Sequence, residues 1–212
     1  MVSRALSQPQ PLELRAPVAA PGMRIGLLGG SFNPAHGAHR AISVAAIKRL
    51  GLDRVWWLVT AGNPLKDRSG LPPVADRVRD ARRIAHHPRI VVTGFDGGTG
   101  SPYTVDLLMA LKQRFPGVHF VWLMGADNLA GIHRWKDWPE IFDLFPVAVL
   151  DRPGYRLKAR ASKAAHRFAW GYVDESDAGG LALRRPPAWT ILTHRLSGLS
   201  STALREIVAE PD

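Results

Sequence analysis

Short continuous apolar runs recur along this chain, separated by stretches whose apolar positions return at helical spacing. The first run follows Arg24 over 25–28 and exits into Gly29-Gly30-Ser31. The next, Val55 onward (VWWLVT), spans 55–60. Others follow at 90–92, 118–124, 147–150 and 189–193. The intervening segments predict helices over 37–50, 75–86, 104–115, 137–145 and 201–209. In the first of these, Ile42, Ala45, Ala46 and Arg49 share a face and Gly51 marks the end. Residues 61–73 read as a Gly- and Pro-rich loop, and 154–188 as irregular chain with one helix near 157–168. Strands without polar alternation are buried on both faces, so this order predicts a parallel α/β sheet covered by helices on each side. Ligands of such sheets lie beyond the carboxyl ends of the strands.

Residues 1–22 hold four prolines and no sustained period, and are expected to form a flexible arm before a single domain over 23–212. They lack the continuous apolar core of a secretory signal. No apolar stretch reaches the roughly 20 residues of a membrane span, so no membrane partner is expected and a cytoplasmic location is. With no cysteine among 212 residues, thiol nucleophiles, disulfides and thiolate metal sites are excluded. The formal charge of +10 suits a polyanionic ligand, nucleotide or nucleic acid. Its arginines are dispersed, however, and the aromatics fall in strands and one loop instead of interleaving with basic residues. A nucleic-acid partner is therefore not expected.

The most informative segment is Gly29-Gly30-Ser31-Phe32-Asn33-Pro34-Ala35-His36-Gly37-Ala38-His39. Paired glycines let the backbone turn tightly and approach a ligand, and the helix that follows aims its free N–H groups at the same point. His36 and His39, three residues apart, share one face of that first turn. Such a pair can hold phosphate, cap the helix, or begin a metal site for which no third ligand is evident.

This segment resembles the HxGH motif of a nucleotidyltransferase superfamily, and most closely the bacterial nicotinate-nucleotide adenylyltransferases, with Ala38 where the pattern has glycine. Further segments carry the likeness along 24–209. Asn63-Pro64-Leu65-Lys66 resembles an NPxK loop, and Ser101-Pro102-Tyr103-Thr104-Val105-Asp106-Leu107 an SYTxDT segment with leucine for the last threonine. Met124-Gly125-Ala126-Asp127-Asn128 resembles a GxDN loop, Asp151-Arg152-Pro153-Gly154 an xRPG turn, and Leu199-Ser200-Ser201-Thr202-Ala203-Leu204-Arg205 the ISSTxIR segment.

The resemblance implies a Rossmann-like fold and adenylyl transfer from ATP to nicotinate mononucleotide, releasing pyrophosphate in NAD biosynthesis. His36, His39, Lys66 and Arg205 are the implied catalytic residues. ATP would be held by Gly29, Gly30, Ser31, Phe32, His36, His39, Gly125, Asp127, Arg152, Ser200, Ser201, Thr202 and Arg205. The mononucleotide would be held by Asn33, Asn63, Lys66, Tyr103, Thr104 and Trp135, with Trp135 stacking on the pyridine and Trp138 packing in the core. Mg²⁺ is expected to arrive on ATP, with no protein-held metal. Related enzymes acting on nicotinamide mononucleotide or phosphopantetheine share the two end motifs, but the NPLK, SPYT and tryptophan segments argue against them. Oligomeric state is not legible.

Overall fold

The computed structural model describes residues 11–62, 65 and 69–193. Six parallel strands form one sheet in the order β3-β2-β1-β4-β5-β6. They are β1 (Arg24–Gly30), β2 (Arg54–Val59), β3 (Ile90–Thr93), β4 (His119–Gly125), β5 (Val147–Leu150) and β6 (Trp189–Leu192). This is a doubly wound, Rossmann-like α/β sheet, and its order reverses between β1 and β4.

Helices α1 (Gly37–Arg49) and α2 (Val74–Ala85) pack on one face, with a 3-10 segment, Glu175–Leu183. The opposite face carries α3 (Thr104–Arg114), α4 (Ala126–Gly131), α5 (Trp138–Leu144), α6 (Arg156–Arg160) and α7 (Lys163–Arg167). Alternate residues of each strand feed the two cores. Ile25 and Leu27 join Trp56, Phe120 and Trp122 on one side, and Leu28 joins Val55, Trp57 and Val121 on the other. All are nearly or fully buried, which explains strands that read as unbroken apolar runs.

Three elements differ from the sequence reading. Helix α4 begins directly at the end of β4, and its six residues are too few to show a period. The single helix expected near 157–168 is two, because Ser162 breaks it and caps α7 by accepting a hydrogen bond from the Ala165 N–H at 3.2 Å. Helix α5 starts at Trp138, since Asp137 before it is left-handed (φ 46°). The helix expected over 201–209 lies outside the described residues.

Residues 11–22 also depart from the expected arm. A short 3-10 turn, Leu12–Leu14, leads a segment laid along the β3 edge of the sheet. The Gly94 N–H donates to Glu13 O at 2.7 Å, and the Thr93 hydroxyl lies 2.8 Å from Arg15 O. Ala16, Ala19 and Met23 pack against the core, and the Gly22 N–H donates to Gly117 O at 2.8 Å. Docking is through main-chain carbonyls and small side chains, which leave no hydrophobic period in the sequence. An edge strand whose polar groups are covered in this way is protected from wrong pairing. A chain beginning at Met23 is therefore expected to melt at least about 5 °C lower, from the loss of several hydrogen bonds at roughly 1 kcal/mol each. An unchanged melting temperature would show that the docked segment contributes nothing.

Candidate functional site

The switch between β1 and β4 opens a cleft at the carboxyl ends of the strands. Leu28 and Gly29 of β1, His36, Ala38, His39 and Ile42 at the start of α1, and Gly125, Asp127 and Asn128 after β4 line it, with Asp151 and Arg152 beyond β5. Gly29 is required by packing: a Cβ there would meet the Trp122 ring from β4 at 2.5 Å. At Gly125 the Asp127 carboxylate folds back over the main chain, and a Cβ there would displace it.

The histidines are built from the helix start. His36 precedes α1 in extended conformation and His39 lies in its first turn, with ring centroids 3.8 Å apart. The His36 main-chain N–H donates to His39 Nδ1 at 3.2 Å, which leaves Nε2 as the proton-bearing nitrogen of the neutral His39 ring. Behind them Phe32 is buried, its ring centroid 4.8 Å from His39 and stacked on Trp57 at 5.0 Å. Trp57 Nε1 donates to Ser43 Oγ, which donates to His39 O, each at 2.8 Å. Both ring nitrogens of His36 are buried and have no hydrogen-bond partner among the described residues. A buried donor and acceptor left open at a cleft are costly unless a ligand completes them.

Burial lowers the His36 pKa to about 4, with the Arg152 charge as a lesser cause. Burial, then His36 and Arg152, lowers that of His39 to about 3. Both rings are therefore neutral in the free site near pH 7. The folded chain binds these protons more weakly than the unfolded chain, so stability is full above about pH 6.5 and is lost as the pH falls. We expect the unfolding free energy to drop by a few kcal/mol between about pH 6.5 and 4 from this pair. A His36→Asn, His39→Asn double variant should show a shallower dependence in urea titrations at stepped pH. Parallel pH profiles for the two proteins would remove the histidines as its cause.

Arg152 and Asp127 meet across the cleft, Nη1 to Oδ2 at 3.0 Å, while Asp127 Oδ1 is buried without a partner among the described residues. Asp151 is buried and accepts from the Arg152 N–H at 2.7 Å, with Arg156 Nη1 at 3.5 Å from its other oxygen. The fold thus gathers Gly29, His36, His39, Gly125, Asp127 and Arg152, which the sequence scatters over more than a hundred positions. Gly30 ends β1, and Ser31 and Asn33 lie in the turn that joins it to His36. Phe32 belongs to that turn too, but its side chain faces His39 and Trp57 and backs the site.

Of the residues expected for the mononucleotide, Tyr103, Thr104 and Trp135 lie on the segments that follow β3 and β4. Tyr103 precedes α3 and Thr104 is its first residue. Lys136, next to Trp135, sits 4.8 Å from the Tyr103 ring centroid and 3.7 Å from Asp106 Oδ2. Trp135 is half-buried against the core, and Trp138 packs edge-on against Phe142 and Phe168, as expected for a core residue. The Tyr103 N–H donates to Ser101 Oγ at 3.2 Å, so at this helix start it is the first-turn amides from Thr104 onward that lack an intrahelical acceptor. Asn63, Lys66, Ser200, Ser201, Thr202 and Arg205 lie outside the described residues. Among the described residues no three of His, Asp or Glu converge as a metal site, and no helix is long and apolar enough to cross a membrane.

Residues 27–207 match the model of the cytidylyltransferase-like family. A protein of Methylorubrum extorquens named probable nicotinate-nucleotide adenylyltransferase is 58% identical over 183 residues, covering 86% of this chain and 99% of its own length. One of the same name from Rhizobium meliloti is 52% identical over 183 residues, covering 86% of this chain and 97% of its own length. The chain belongs to the nicotinate-nucleotide adenylyltransferase family. The fold is shared with Plasmodium falciparum nicotinic acid mononucleotide adenylyltransferase, solved in complex with NaAD, at a TM-score of 0.64 and 18% identity over 90% of this chain and 86% of that one.

Reading the sequence for this family's motifs did not reveal Arg77. It lies in the first turn of α2 and is buried, with a side chain that reaches back to the strand ends. In the sequence it is one arginine of a helix that also carries Arg79, Arg82 and Arg83, and only its spacing from Val74, Ala81 and Ala85 sets it on the apolar face. Trp57 and Ser43, which brace His39 from behind, are likewise indistinguishable from ordinary core and helix residues.

Proposed function

We infer that this enzyme transfers the adenylyl group of ATP to nicotinate mononucleotide, giving deamido-NAD and pyrophosphate. The observation that carries the reading is the pair of neutral, closely apposed histidines at the N-terminus of α1, open to a cleft at the sheet's switch point. The names of relatives at 50–58% identity over most of the chain supply the substrate class.

The attacking group is the 5′-phosphate of the mononucleotide, already ionised near neutral pH because a phosphate monoester's second pKa is about 6. No general base is required. Catalysis is alignment for in-line displacement at the α-phosphorus plus stabilisation of charge on the transferring group. The His39 Nε2–H and the one N–H of the neutral His36 ring supply donors, and the first-turn amides of α1 add their aligned dipoles. Neutral donors fit this task, because their interaction strengthens as negative charge develops on the transferring group. Arg152, anchored by Asp127, brings a fixed cation to the same cleft. Lys66 and Arg205 are assigned to the leaving pyrophosphate, with magnesium entering as part of the ATP substrate. Tyr103, Thr104 and Trp135 are assigned to the nicotinate ring and its carboxylate. The chemistry belongs in the cytoplasm, where ATP and mononucleotides are supplied.

Pyrophosphate release from ATP with nicotinate, nicotinamide or phosphopantetheine acceptors tests the assignment. Turnover with nicotinate mononucleotide supports it; turnover only with another acceptor overturns it.

A further inference from the structure

Arg77 is 3% exposed, yet among the described residues no carboxylate lies within ion-pair distance of it. Its guanidinium is held by three main-chain carbonyls. Nε donates to Pro72 O at 2.8 Å, and Nη1 donates to Ser31 O at 2.6 Å and to Thr60 O at 2.8 Å. A buried cation is costly, and one paired with carbonyls alone keeps its full charge.

The acceptors define its reach. Ser31 and Thr60 are the first residues past the ends of β1 and β2, so Arg77 spans the ligand end of two adjacent strands. Thr60 and Pro72 bracket the loop between β2 and α2, so the same side chain also gathers that loop's two ends. Ser31 is joined to Phe32, a non-glycine residue held at φ 47°. A left-handed conformation there persists only while its surroundings enforce it. The ring so placed lies 4.8 Å from His39. A continuous path therefore runs from Arg77 through the Ser31 carbonyl and the Phe32 ring to the imidazole at the cleft.

We propose that Arg77 is a positioning residue: it fixes the turn after β1, and through Phe32 it fixes the placement of His39 for adenylyl transfer. The assignment rests on the reaction inferred above. It needs the guanidinium fork, because the three carbonyls lie in different directions and one ammonium nitrogen cannot serve them in that geometry.

The test uses the full chain with Arg77→Lys and Arg77→Met. Misplacement of a group that acts on the transition state lowers kcat more than it changes ATP binding. Arg77→Lys is expected to lose about tenfold in kcat and Arg77→Met about thirtyfold, with KM for ATP changed less than about threefold. A second readout does not depend on activity. In the wild-type protein ¹⁵N NMR at pH 7.5 should show His39 as a single tautomer with its proton on Nε2, and both variants should show a mixture. If Arg77→Met does not fold, Arg77→Lys and Arg77→Gln carry the same two measurements. Wild-type kcat in either variant overturns the proposal. So does a loss of activity that merely tracks the unfolded fraction while His39 keeps one tautomer. If the wild-type protein turns over neither nicotinate mononucleotide nor its relatives, the inferred reaction fails, and the tautomer readout still decides whether Arg77 places His39.

Discussion

Replacing His39 by alanine is expected to lower kcat by about 10²-fold or more, since a donor aimed at developing charge in an enclosed site is worth roughly 3–4 kcal/mol. His39 meets the structural conditions for such a donor. Its Nδ1 is committed to the His36 main-chain N–H, so its remaining proton is on Nε2. Burial keeps it neutral, with a pKa of about 3. The Phe32 ring and the Ser43–Trp57 hydrogen bonds hold it in place. Stability should fall by only about 1–2 kcal/mol, from the hydrogen bond that Nδ1 accepts from the His36 main-chain N–H, and loss of the ring relieves part of the acid sensitivity. His36→Ala should behave likewise, for its two buried nitrogens have no partner among the described residues until substrate arrives. Steady-state kinetics beside thermal denaturation distinguishes the cases: an activity loss accounted for by unfolding would remove the histidines from the chemistry.

Preference for the nicotinate over the nicotinamide mononucleotide is expected to be at least about 10²-fold in kcat/KM, from roughly 3 kcal/mol of mismatched hydrogen bonding. The carboxylate offers acceptors only, whereas the amide carries an NH₂ that meets donors with donors. Helix α3 presents first-turn amides and its positive dipole end beside Tyr103 and Thr104. Lys136 adds a cation at the Tyr103 ring and offsets the Asp106 carboxylate 3.7 Å away. One refinement comes from the structure: the Tyr103 N–H is already given to Ser101 Oγ, so the burden falls on the amides from Thr104 onward. Trp135 is expected to stack on either ring and to contribute affinity without discrimination, so Trp135→Ala should weaken both substrates in similar proportion. Comparable kcat/KM for acid and amide would falsify this recognition scheme and leave the adenylyl transfer intact.

The strands and most helices were legible because their burial is recorded in composition. A strand covered on both faces must be apolar throughout, as in Val55, Trp56, Trp57 and Leu58. The helix start after β1 was legible for a different reason: histidines three apart there share its first turn. The tight turn falls at Phe32, left-handed at φ 47°, and not at Gly29 and Gly30, which end β1. Short elements escaped: α4 has six residues, and a single cap at Ser162 splits what composition presents as one helix. The docking of residues 11–22 escaped as well, because carbonyl oxygens make its bonds and every residue type carries one.

By itself, then, the sequence determined the alternation of strand and helix and the parallel sheet, and it named the side chains expected to meet a phosphate. Tertiary structure alone decided what those side chains are when they arrive there. It set the strand order that brings His39 and Arg152 to one cleft, and the burial that keeps both imidazoles neutral. It also turned Arg77 inward, onto three carbonyls that lie as many as 46 positions away. Periodicity reports which face of an element is apolar. The charge state of a histidine and the partner of a buried arginine depend on neighbours from other elements, and those are fixed only when the sheet closes.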